Sequence, residues 1–178
     1  MMTMIRTDQN PVVWTITLAT AAVLGTLATA CMMPFVALAT IAAGTMPRNQ
    51  AIIAVLGAWV ANQLLGFGLL GYPATGYAIA WGIALGVASL AVIPLVRRLS
   101  NGSVARLLLA FTAAFVACEA VLFGYALAVG GTGTFTPAIL LRLFGNEALW
   151  FAILGGLHLI LTHSAPRVFG RSPLVRLG

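Results

Sequence analysis

Long apolar runs separated by short polar turns make up almost the whole chain. Most runs approach the ~20 residues that a helix needs to cross a hydrocarbon core about 30 Å thick. The first run, residues 12–46, is too long for one straight span, because it would measure about 52 Å at 1.5 Å per residue. Cys31-Met32-Met33-Pro34 lies within it, and proline breaks a helix by removing a donor and clashing with the preceding turn. The pattern therefore predicts a first span over about 12–31 and a shorter second one over about 34–46, with a single kinked, tilted helix as the alternative.

Pro47-Arg48-Asn49 reads as a turn, followed by spans over about 50–70 and 75–96 that meet at Gly71-Tyr72-Pro73. Arg97-Arg98 close the latter, and a span over about 105–129 leads to the glycine-rich loop at residues 130–134. Residues 137–144 suit a short surface or re-entrant helix, and Asn146-Glu147 open the last span, about 147–163. The expected fold is an all-α polytopic transmembrane helix bundle, one integral membrane domain over residues 1–178, with six spans, or five if 12–46 is one helix.

Composition strengthens this reading. Of 178 residues 61% are hydrophobic and 7% charged, against about 25% charged in soluble domains. The net charge of +6 comes from nine basic residues, all arginine, and three acidic ones. These arginines flank apolar runs, where they set orientation and are no sign of nucleic-acid binding. Arg97, Arg98 and Arg106 beside one turn, and Arg167, Arg171 and Arg176 in the tail, predict that both regions face the cytoplasm. Splitting 12–46 then also places Arg6 inside, so the charge rule favours six spans and cytoplasmic termini in a cell (inner) membrane. The N-terminal segment reads as a retained first anchor, since its apolar run outlasts a signal peptide.

Candidate chemistry is sparse. Cys31 and Cys118 lack CxxC spacing and read as buried thiols. Neither HxxxH nor a paired-carboxylate motif suggests a metal, and no Walker loop, dinucleotide fingerprint or Ser-His-Asp set suggests an enzyme. No cofactor is expected. Polar groups inside spans are costly and need a reason. These are Asn62 and Gln63, Glu119, and His158, which helical rise places in one layer roughly 12–16 Å deep. Substrate sites of membrane carriers tend to lie near that depth. Glu119 must pair, protonate or face water; it reads equally as a ligand contact and as a hydrogen-bonded structural acid. Asn62-Gln63 also suit interhelical hydrogen bonding, as does His158. Trp59, Trp81 and Trp150 suit either a ligand pocket or packing and the membrane interface. The Gly82–Gly86 GxxxG pair argues packing.

Short helices in under 200 residues, with an Ala/Gly-rich first hairpin, resemble the substrate-binding S component of energy-coupling-factor vitamin transporters. The resemblance is one of topology and covers most of the chain. It implies that small residues on the first helices, Ala21, Gly25 and Thr29 or Ala39 and Ala43, contact a transmembrane coupling subunit that works with ATPases. It also implies a ligand toward the outer side, near Glu119, Trp150 and Asn146. The expected function is a small-molecule binding or transport subunit that needs an energising partner; an accessory or assembly subunit of a larger membrane complex is the alternative.

Overall fold

A computed structural model describes residues 11–28, 33–100 and 103–169. All its regular elements are helical: α1 (Pro11–Ala28), α2 (Phe35–Thr45), α3 (Arg48–Gln63, continued by a π-helical stretch Leu64–Leu69), α4 (Gly76–Leu99), α5 (Val104–Val129), α6 (Pro137–Ser164) and the one-turn α7 (Pro166–Phe169). Four of them are long and apolar enough to cross a membrane: Arg48–Leu69, Gly76–Leu99, Val104–Val129 and Pro137–Ser164. The chain is a membrane protein with an α-helical bundle. The run 12–46 is divided, as Pro34 predicts: Pro34 stands immediately before the first residue of α2. Arg6 and the arginines at 171 and 176 lie outside the described residues.

Local chemistry explains the starts of the long helices. The Thr75, Ser103 and Thr136 side chains accept from the amides of Ala78, Arg106 and Ile139 and so cap α4, α5 and α6. Proline at 137 suits a first helical position, where no amide is needed. The last helix therefore begins ten residues before the expected 147, and residues 137–144 are its first turns rather than a separate surface helix.

The bundle is built around α2. Its sequence, FVALATIAAGT, is apolar on all sides, and a helix hydrophobic all round belongs in an interior. Residues 35–43 are all buried, enclosed by α3, α4, α5 and α6. At 11 residues this helix is about 16 Å long, half of a membrane crossing. Small side chains let its neighbours approach: a β-carbon on Gly44 would lie 3.0 Å from Leu107 Cδ1. Ala39 and Ala43, at 0% and 4% exposure, are consumed by this packing within the chain. They cannot present a face to a coupling subunit, which corrects that expectation. Ala21 is half-buried on α1 against the core, Gly25 lies on α1, and Thr29 falls outside the described residues.

Both ends of α2 are held by charged side chains from other helices. Glu147 of α6 receives the Val36 and Ala37 amides at its start. Arg97 of α4 donates through Nη1 to the carbonyls of Ala43 (3.1 Å) and Met46 (2.9 Å) at its end. The Arg97 charge has the sign that opposes the dipole at the end of α2, and an ionised Glu147 would do the same at its start. These contacts make α2, α4 and α6 parallel. Arg48, Arg97, Arg98 and Arg106 gather at one end of the bundle, the arginine end; the turns at 71–75 and 130–136 form the loop end. Exposed Arg142, in the second turn of α6, stands toward the loop end. Arg97→Gln shortens the donor and leaves both carbonyls to water at the bundle's edge. We expect a loss of about 1 kcal/mol and a melting temperature in detergent about 2–4 °C lower.

Candidate functional site

The start of α2 lacks a capping side chain of its own, because the residue before it is proline. Its second and third amides would be orphaned in the interior. Glu147 answers both: the Val36 amide donates to Oε1 at 3.3 Å and the Ala37 amide to Oε2 at 2.7 Å. The carboxylate is 8% exposed and sits about 15 Å along α6 from Pro137 at 1.5 Å per residue. It is therefore at mid-depth, not at the membrane boundary where the sequence alone placed it.

Packing differs on the two sides of this point. Toward the arginine end the core is dense, with Leu38, Ile41, Val55, Ile93 and Leu154 fully enclosed. Toward the loop end no residue is buried in 59–70 of α3, 76–85 of α4 or 137–146 of α6; only α5 keeps buried side chains there. Among the described residues α3, α4 and α6 are thus less buried toward the loop end than toward the arginine end, and Glu147 and the start of α2 lie where the two halves meet.

Glu119 lies on α5, ten residues before its last residue, Val129. It is half-buried on α5. Among the described residues no donor bonds to it. Phe115, one turn below it, meets Phe144 of α6 edge-on at 5.1 Å, while Phe123, one turn above, meets Phe135 at 5.3 Å. Phe111 stacks on Phe151 at 4.6 Å beneath them. Glu119 thus belongs to a seam between α5 and α6 that is lined by phenyl rings. Buried Cys118 is its neighbour.

The other expected site residues are not gathered around Glu119. Gln63 packs on α4, where a β-carbon on Gly82 would lie 2.6 Å from its Oε1. The Trp59 indole donates to the Gly82 carbonyl at 2.7 Å and lies over Gly86. The glycine pair is therefore a groove for Trp59, the packing role expected of it. Asn62 is half-buried beside Gln63 on α3. Asn146 and Trp150 are half-buried on α6, on a flank turned away from the phenylalanine seam. The Trp150 Nε1 atom is buried without a hydrogen-bond partner.

His158 leaves the mid-depth layer altogether. It lies about 16 Å along α6 from Glu147, toward the arginine end. There its ring, 1% exposed, rests 4.9 Å from the Trp14 ring. Trp14 donates to Thr45 Oγ1 at 3.1 Å and meets Phe169 edge-on, so it ties α1, α2, α6 and α7 together. Both His158 nitrogens lack partners.

Comparison with protein-family models, curated proteins and solved structures gives no match. A carboxylate fixed on a helix start and a second one to which no donor bonds among the described residues, set in a seam of phenyl rings, are the groups here that favour positive charge. Among the described residues no three His, Cys, Asp or Glu side chains converge as a metal site would require. Sequence reading missed Glu147 as a site residue because it began the last span at 147. The signal that could have found it is Thr136-Pro137, a cap followed by a first-turn proline, which starts the helix earlier.

Proposed function

We propose that this membrane protein is a binding subunit for a small organic solute, with the loop-end half of the bundle as its site and Glu119 as the contact for a cationic or protonated group. The observation that carries this reading is the half-buried carboxylate of Glu119 within α5, to which no donor bonds among the described residues, in a seam of phenyl rings. An ionisable group inside a membrane is costly, so it is kept for a function or a partner. Phenyl rings around an anion suit an ammonium group, which they attract through their faces. Broken helices that start at mid-depth are a recurring device of carriers. Movement of the solute would draw on an energising partner, such as a transmembrane coupling subunit with its ATPases, because this sequence holds no nucleotide-binding loop. The arginine end would face the cytoplasm and the loop end would face outward. An accessory role in a larger membrane complex is the competing reading; copurification in mild detergent of an unrelated complex, with no ATPase, would favour it.

The test is solute binding to the protein in lipid nanodiscs, screened with primary, tertiary and quaternary amines by thermal shift. Glu119→Gln removes the charge while keeping shape and should weaken a cationic ligand at least tenfold, about 1.4 kcal/mol. No stabilisation by any amine, or equal binding by Glu119→Gln, would refute the assignment.

A further inference from the structure

Helix α5 lies close along α4, but it meets α6 chiefly through phenyl rings. Hydrogen bonds tie α6 instead to α2, at Val36 and Ala37. Phe115, Glu119 and Phe123 follow one another at one-turn spacing and so share a face of α5. On one side of Glu119 the Phe115–Phe144 pair lies across the seam at 5.1 Å; on the other the Phe123–Phe135 pair crosses it at 5.3 Å. Rings therefore stand across the seam both above and below the carboxyl, and an approach along its length meets them first.

The flank of the seam is open by comparison. On α5 Val116 is 61% exposed and Phe123 41%, and Ala120 beside Glu119 is exposed too. On α6, between the two rings that cross the seam, Leu141 is 71% exposed. Glu119 lies ten residues before the end of α5, about 15 Å by helical rise and about half the thickness of a hydrocarbon core. At that depth the outer surface of the bundle meets acyl chains. The way past Ala120, which carries a single methyl, leads from those chains to the carboxyl.

We propose that the α5–α6 seam is a side entrance from the bilayer and that the solute is a lipophilic organic cation. Its ammonium head would pair with Glu119, and its apolar body would stay among the phenyl rings and the acyl chains. This rests on the reading of Glu119 as the solute contact. The head is fitted by charge complementarity: no donor bonds to Glu119 among the described residues, and phenyl faces attract ammonium groups. The body is fitted by what borders the carboxyl. Phe115, Phe123, Phe135, Phe144 and Ala120 have no polar side-chain atom, so a sugar or amino acid would leave its polar groups unpaired there. Each methylene of an apolar body also enriches the compound in the bilayer about fourfold, where the entrance lies.

The experiment is carbodiimide labelling of the full chain in lipid nanodiscs, read by peptide mass spectrometry. Dicyclohexylcarbodiimide dissolves in lipid and adds to a carboxyl as a stable N-acylurea; a water-soluble carbodiimide serves as the comparison. The lipid-soluble reagent should label Glu119 at least about tenfold faster than the water-soluble one does, and Glu147, 8% exposed, should stay unlabelled. Ala120→Trp and Val116→Trp place a large ring on the exposed flank, where it packs against lipid, and each should slow the labelling of Glu119 about fivefold or more. Octyltrimethylammonium should protect Glu119, whereas tetramethylammonium at the same aqueous concentration should not. Equal labelling by both reagents, no labelling by the lipid-soluble one, or full-speed labelling of both tryptophan variants would overturn the side entrance. Equal protection by tetramethylammonium would overturn the lipophilic class while keeping Glu119 as the solute contact. Labelling from lipid with no protection by any amine would sink that contact, and the cation with it.

Discussion

Replacing Glu147 with alanine should lower the stability of the protein by about 3 kcal/mol. Two buried amides, those of Val36 and Ala37, lose their acceptor, at about 1–3 kcal/mol each. The favourable interaction with the start of α2 goes too, up to about 2 kcal/mol for a partly buried charge. Opposing these losses, the substitution removes the cost of holding a carboxylate out of water, which can reach several kcal/mol. The balance should still fall on the side of loss, because the amides stay buried whether or not the acid is present. A chain of this size loses about 2–4 °C per kcal/mol, so the melting temperature in detergent should fall by about 6–12 °C. Glu147→Gln keeps one carbonyl acceptor and should lose roughly half as much. Glu119→Ala, which removes no hydrogen bond among the described residues, should melt close to the parent. Equal melting of Glu147→Ala and the parent would mean that the α2 start is satisfied some other way.

Much of the fold was legible because lipid imposes strong rules. Helices are the only way for a chain of this composition to satisfy its backbone in hydrocarbon. Apolar runs and arginine-flanked turns located α3, α4 and α5, and Pro34 located the break ahead of α2. The burial of α2 was half legible. Its alanines and Gly44 announced close packing, but composition could not say whether the neighbour belonged to this chain or another. Ala39 and Ala43 went to the wrong partner for that reason. The start of α6 was misread because Gly145 and Asn146 look like punctuation. A helix with tertiary support tolerates them, and α6 runs through both.

That one boundary decided how much of the candidate site could be read. Depth counted from 147 put His158 near the middle; counted from Pro137, it moves Glu147 there and sends His158 to the arginine end. Glu119 kept its depth because the ends of α5 are marked by Ser103 and Gly130. The contact between Glu147 and α2 joins residues more than a hundred positions apart, and no local pattern encodes it. Arg97 likewise read as a flanking charge, although its guanidinium reaches back across the bundle to close α2.

The groove formed by Gly82 and Gly86 should separate two substitutions that look alike in sequence. Alanine is the better helix former by about 0.8–1 kcal/mol, so either change is stabilising unless the added carbon meets something rigid. At Gly82 it would meet Gln63 Oε1 at 2.6 Å, the tip of a flexible side chain that can swing away. At Gly86 it would meet the indole of Trp59 at 2.8–3.0 Å along Nε1, Cδ1 and Cε2. That ring cannot retreat without losing its 2.7 Å bond to the Gly82 carbonyl. Gly82→Ala should therefore be neutral to within about 0.5 kcal/mol. Gly86→Ala should lose about 1 kcal/mol and Gly86→Leu about 3 kcal/mol, in the range for overpacked interiors. By the same scaling the Gly86→Leu protein should melt about 6–12 °C below the parent. Trp59→Ala empties the groove and costs stability alone, yet combined with Gly86→Leu it should recover at least about 1 kcal/mol relative to the sum of the single changes. Melting curves of the four proteins in one detergent measure that term. Strict additivity would show that Trp59 is not what Gly86 makes room for.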